Sequence, residues 1–161
     1  MNVRAKNPIN LESLQEKQLL RLYGELIEEL RRRRLVRSSN NPVSDYAERI
    51  VSERMNLILQ TNSNKGFDAL NEKNGLKYQI KARRLTRHNK SRQLSVIRDL
   101  DQKLFDFLIA VIFDEYLEPK EIWQVPWEAV KRHSIPSQHQ NGHILRLEGD
   151  VLQDKVVTRL L

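Results

Sequence analysis

The 161 residues contain no cysteine. Disulfides, thiolate nucleophiles and zinc sites built on cysteine ligands are therefore excluded. Long apolar runs are also missing. The longest, "FLIAVIF" at positions 107–113, falls far short of the ~20 residues a membrane-crossing helix needs. Basic residues near the N-terminus have no apolar stretch behind them, so no export signal is expected. These absences lead to the expectation of a cytoplasmic protein that does not enter a membrane. Acidic residues are absent from one particular stretch: between positions 77 and 98 there are eight Lys or Arg and no Asp or Glu.

What is present fits a folded domain. Hydrophobic residues make up 39% and charged residues 30%, a balance typical of a globular chain long enough to bury a core. The net charge of +7 is unevenly spread. A second basic run, "RRRRLVR", spans positions 31–37, while positions 99–128 reverse the sign with eight acids against Lys103 and Lys120. Clustered cations suit a polyanion, because neutralising phosphates releases counterions. A solvated basic face is the alternative reading of the same clusters.

Hydrophobic periodicity predicts a long helix over about residues 11–35, with Leu19, Leu22, Tyr23, Leu26, Ile27 and Leu30 at three- and four-residue steps. That stripe can pack on its own domain, or pair with a second copy or a partner subunit. A loop at 37–42 leads to a second helix starting near Ser44 or Asp45. Strands are expected at about 67–70, 76–83 and 94–97. The apolar run 107–113 reads as a strand buried on both faces in the middle of a sheet. "EIWQVP" gives another strand, closed by Pro126. A short helix over 127–134, a last strand at "HILRL" and a helical tail from position 150 follow. The expected organisation is an N-terminal helix with a basic end (1–40) and an α/β domain (41–161) around one central sheet.

The chemistry concentrates in "KGFDALNEKNGLKYQIKARR", positions 65–84. In a strand over 76–83, Leu76, Tyr78, Ile80 and Ala82 face one side, and Lys77, Gln79, Lys81 and Arg83 the other. Gln79 and Lys81 then stand side by side, about 6.6 Å apart. "NEKNG" is short enough to make a hairpin that brings Asp68 beside Gln79. A carboxylate, an amide oxygen and an ammonium together suit phosphodiester cleavage assisted by a hard cation. Asp68 and Gln79 would ligate the metal, Lys81 would stabilise the charged transition state, and Glu48 on the preceding helix is the candidate second carboxylate. Each residue also has a plainer role: Asp68 closing a turn, Gln79 and Lys81 on an exposed strand, and Glu48 in a capping box with Asp45. His139 and His143 are separated by Asn141 and Gly142, which argues against a helix aligning them on zinc. Trp123 and Trp127 are expected in the core.

The pattern "GFDAL…YQIK" resembles the D-x(n)-(E/Q)-x-K signature of the PD-(D/E)xK nuclease superfamily, which has the restriction-endonuclease-like fold. Its Q-x-K form is similar to that of Mrr-type restriction endonucleases. The resemblance covers roughly residues 44–126. It implies a mixed central sheet flanked by helices, magnesium- or manganese-dependent hydrolysis of DNA, and Asp68, Gln79, Lys81 and Glu48 as site residues. Asp68, Gln79 and Glu48 would hold the metal. Arg83, Arg84, Arg87, Lys90 and Arg92 would then contact phosphates. The alternative is a silent nuclease fold that binds nucleic acid through its basic strand and loop. No proline precedes Asp68, and Gln79 stands where the signature more often has an acid.

Overall fold

The computed structural model describes residues 9–61 and 66–161. Residues 1–8 and 62–65 lie outside the described residues. The chain divides into two compact units, Met1–Pro42 and Val43–Leu161.

The first unit is built on α1 (Glu16–Arg32), preceded by a 3-10 turn at Leu11–Ser13. Gln15 and Gln18 cap its start reciprocally: the Gln15 N–H donates to Gln18 Oε1 at 2.8 Å. The helix ends at Arg32; two residues on, Arg34 has a φ of 59°, and the Leu35 N–H returns across it to the Leu30 carbonyl at 2.9 Å. That left-handed stop explains why the helix ends before Leu35 despite continuing apolar periodicity. Leu20, Tyr23 and Leu26 are exposed on α1.

The second unit is a mixed α/β domain. It contains α2 (Val43–Met55), β1 (Ile58–Leu59), β2 (Ala69–Leu70), β3 (Lys77–Arg84), β4 (Phe107–Phe113) and β5 (Pro119–Pro126). After these come α3 (Trp127–His133), β6 (Ile135–Ser137), β7 (Gly142–Ile144), α4 (Asp150–Gln153) and β8 (Thr158–Arg159). The main sheet has the order β1-β2-β3-β4-β5-β8; β3 and β4 run parallel and every other pair antiparallel. No helix is long and apolar enough to cross a membrane among the described residues.

β4 is central and buried at six of its seven positions, as an uninterrupted apolar run requires. Its side chains alternate between two apolar layers. Ile109, Val111 and Phe113 join Ala47 and Val51 of α2 with Tyr78 and Ile80 of β3. Leu108, Ala110 and Ile112 join Ala129 and Val130 of α3 with Leu94, Ile97, Leu100, Leu145 and Leu147. Strand alternation puts Gln79, Lys81 and Arg83 on that second side, beside Leu108, Ala110 and Ile112 in the β3–β4 register.

Several elements differ from the sequence expectation; β1 and β6 are short strands it did not announce. The segment expected as a strand at 94–97 pairs with the 143–146 stretch only at isolated bridges, Gln93 with Arg146 and Ile97 with His143. The C-terminal tail makes a single turn of helix and then adds β8 to the sheet edge, pairing Thr158 and Arg159 with Gln124 and Trp123. Two residues carry too little pattern to announce a strand.

The parallel step from β3 to β4 needs a crossover. Here it is residues 85–106, holding a 3-10 turn at Leu100–Gln102 and no α-helix. Its apolar anchors recur every third residue: Leu94, Ile97 and Leu100 are each at most 1% exposed. Ile97 exchanges two backbone hydrogen bonds with His143, at 2.9 and 2.8 Å, and the Trp127 indole N–H donates to the Leu100 carbonyl at 2.9 Å. Gly142 makes the contact possible. A Cβ there would lie 2.6 Å from the Ile97 carbonyl oxygen and 2.6 Å from Val96 Cγ2. Gly142→Ala is therefore expected to cost about 1–3 kcal/mol through overpacking. In a thermal melt followed by circular dichroism, each kcal/mol should lower Tm by about 2–4 °C. An unchanged melt would show that the segment yields freely.

Candidate active site

Asp68 lies immediately before β2, at the point where that strand leaves β3. Its N–H donates to the Tyr78 carbonyl at 2.8 Å, and its own carbonyl accepts from Gln60 N–H at 2.8 Å. Its Oδ2 accepts the Ile80 N–H at 2.6 Å. The carboxylate thus continues the sheet ladder where the β2 backbone has gone. Because its two contacts on β3 fall on either side of Gln79, Asp68 sits beside that residue. Gly66, with φ +99°, turns the chain into this position. A Cβ at Gly66 would meet Leu104 Cβ at 2.4 Å, so glycine is required on both counts.

Gln79 and Lys81 line a cavity of about 520 Å³ together with Gly66, Ser95, Val96, Arg98 and Asp99. The three-residue recurrence of the buried Leu94, Ile97 and Leu100 leaves Ser95 and Arg98 on the outward side of the crossover, facing this space. Burial lowers the Lys81 pKa from the ordinary lysine value; the Asp68 charge opposes that shift and the Arg98 charge adds to it. Among the described residues, no hydrogen bond or ion pair holds the side chains of Gln79, Ser95 or Arg98, and none holds the Lys81 ammonium beyond its electrostatic coupling. Ser95 and Arg98 are exposed and Gln79 and Lys81 half-buried, so all four polar groups reach solvent around one cavity and are open to a polar ligand.

Asp68, Gln79 and Lys81 are thus brought together. Glu48 is buried in α2, next to Ala47, which packs in the layer of Tyr78 and Ile80. Neither Glu48 nor Asp68 is among the cavity-lining residues; Asp68 joins the site through its bond to the Ile80 N–H. Three of the five basic residues expected to contact phosphates are engaged internally. Arg83 donates to the Ser91 carbonyl at 2.9 Å and to Asn89 Oδ1 at 3.1 Å. Arg84 donates twice to the Glu115 carbonyl, at 3.0 and 2.6 Å. Arg92 donates to the Leu147 carbonyl at 2.6 Å and makes a bidentate pair with Glu121 at 2.9 and 2.7 Å. Arg87 and Lys90 are exposed on the tight turn closed by Thr86 and Asn89.

Ser95 and Arg98 are the residues that sequence reasoning missed. The available signal was the position of Arg98 as the last base before the acidic stretch, combined with apolar anchors every third residue. Among the described residues no three His, Asp or Glu side chains form a metal-holding group. His143 Nδ1 is buried without a hydrogen-bond partner. Trp127 and Trp123 both pack against the second apolar layer, and the Trp123 indole donates to Glu121 at 2.7 Å. No protein-family model matches the chain, and no curated protein matches it either.

Proposed function

We propose that the protein is a metal-dependent nuclease that hydrolyses DNA phosphodiester bonds, with a restriction-endonuclease-like form of its mixed α/β domain. The observation that carries this reading is that Gln79 and Lys81 line one cavity with their polar ends uncommitted, on the strand whose Ile80 N–H is bonded to the Asp68 carboxylate. The element order supports it as well. A helix is followed by an antiparallel β1-β2-β3 meander and a parallel crossover to β4, with Asp68 leading into β2 and Gln79 and Lys81 on β3.

The donor set fits a hard divalent cation. Magnesium binds through one or two carboxylates, keeps several waters and takes further oxygens from phosphates. The Ile80 N–H fixes the orientation of the Asp68 carboxylate, and the Gln79 amide offers a neutral oxygen beside it. A cation bound there supplies charge against the phosphate and an activated water. Lys81 donates its ammonium protons to a non-bridging phosphate oxygen, and its burial strengthens that attraction relative to water.

A second reading, nucleic-acid binding without cleavage, is favoured by Glu48. Its helix packs in the layer opposite Gln79 and Lys81, and with Asp68 as the one charged ligand a cation would be held weakly. A plasmid assay separates the two readings. The purified protein is expected to nick supercoiled DNA with magnesium or manganese and to be inert in EDTA. Asp68→Asn loses nicking but still shifts DNA in a gel. Nicking that persists in Asp68→Asn would remove the proposed site.

A further inference from the structure

Resting on the reading of the Lys81 cavity as a phosphodiester site, we infer that Arg98 and Ser95 form with Lys81 a cradle for a single phosphate group of a nucleic-acid strand, Arg98 being its principal clamp.

The cradle has two walls from distant parts of the sequence. β3 supplies Gln79 and Lys81, and the crossover supplies Ser95, Arg98 and Asp99. The crossover backbone that carries Ser95 and Arg98 is anchored. Leu94 and Ile97 are anchored to the β7 region by backbone hydrogen bonds to Leu145 and His143, and Leu100 by the Trp127 indole. Directly after Arg98 the chain turns through the left-handed Asp99, φ 51°, so Arg98 ends the outward-facing stretch.

The chemistry selects the ligand. Lys81 and Arg98 are two like charges acting on one another across the cavity, an unfavourable pairing that a shared anion relieves. Ser95 adds a neutral hydroxyl. Asp99 is the single acid in the lining. A guanidinium presents a planar fork matched to two oxygens of a phosphate, whereas an ammonium acts as a point charge. The basic residues that a linear reading favours, Arg83, Arg84 and Arg92, spend their guanidinium donors on backbone carbonyls and on Glu121. Arg98 has no such partner among the described residues.

The test is anisotropy titration of a fluorescein-labelled single-stranded oligothymidylate in EDTA, over a range of salt, with the full chain. Melting curves confirm that each variant is folded. Arg98→Ala is expected to weaken binding about ten-fold and reduce the log–log salt slope by about 0.7, the loss of one phosphate contact. Arg98→Lys recovers only part of this, because charge returns without the fork. Ser95→Ala weakens binding by about three-fold, as a lost neutral hydrogen bond does. Lys155→Ala, an exposed cation outside the cavity lining, serves as control and leaves both quantities unchanged. Wild-type affinity in Arg98→Ala, or a loss no greater than that in Lys155→Ala, overturns the inference. Nicking measured on the same proteins keeps the two readings apart. If wild type never nicks yet binding depends on Arg98, the cradle stands and the nuclease fails. If wild type nicks and Arg98→Ala nicks with unchanged KM and rate, the nuclease stands and the cradle falls.

Discussion

Lys81→Met reduces magnesium-dependent nicking by about a hundred- to a thousand-fold, the usual cost of removing one donor aimed at developing charge. It does so without destabilising the fold. Burial holds the Lys81 pKa below that of free lysine, so between the folded and unfolded values the unfolded chain binds more protons. Stability therefore rises with pH across that window, and at neutral pH the charged side chain carries its desolvation cost in full. A methionine of similar length removes that cost, and Tm is expected to rise by about 1–3 °C, within the range found when a functional residue is replaced by a better-packed one. Loss of activity with gain of stability is the signature of a residue kept for its chemistry. The same shift sets the alkaline limb of the wild-type profile. Nicking falls as Lys81 loses its proton, at a pH below the ~10.4 of an unperturbed lysine. A variant that melts lower and nicks at more than about a tenth of the wild-type rate would contradict the assignment.

Arg92→Met has the opposite signature, losing stability but leaving nucleic-acid binding intact. Arg92 and Glu121 are only 20% and 21% exposed, and the guanidinium ties the crossover to both β5 and Leu147. Truncation leaves Glu121 half-shielded without its cation, though still accepting from the Trp123 indole. The expected cost is about 2–3 kcal/mol, on the scale of charged hydrogen bonds, or a Tm lower by roughly 5–10 °C. The pair also predicts a pH response. The Arg92 hydrogen bond holds the Glu121 pKa below its ordinary value, against burial, with help from Trp123. A carboxylate depressed in this way stabilises the fold above its unfolded pKa, and that contribution is lost as pH falls through the folded value. Wild type should therefore lose stability below about pH 4.3, and Arg92→Met should lose less over the same interval. Equal melting of the two proteins at pH 7, with weaker DNA binding in the variant, would return Arg92 to the ligand surface.

The contrast between Lys81 and Arg92 marks where the sequence could be read and where it could not. β4 declared itself through an unbroken apolar run, and β3 through alternation. "NEKNG" announced a tight connection, in which the Asn71 N–H meets the Leu76 carbonyl at 2.9 Å and Gly75 adopts φ 71°. Asp68, Gln79 and Lys81 came together because all three are placed by local geometry. Arg98 and Ser95 were not legible in the same way. Their orientation depends on backbone pairing with His143 and Leu145, more than forty residues further along the chain. The basic run could not reveal its own use either. A guanidinium bonded to the Glu115 carbonyl and one lining an open cavity look identical in sequence, so Arg84 and Arg98 are told apart only in three dimensions. Glu48 illustrates the converse. The sequence offered it as the carboxylate on the preceding helix, and only the structure shows that this helix packs in the layer of Tyr78 and Ile80.

A crystal grown with manganese and a non-hydrolysable phosphorothioate oligonucleotide tests the central claim most directly. The account predicts an anomalous peak within about 2.5 Å of oxygens from both Asp68 and Gln79, at a distance typical of a hard cation, and a phosphate between that ion and the Lys81 ammonium. Manganese absent from this position, with the oligonucleotide seated elsewhere and the Lys81 cavity filled by water, would contradict it.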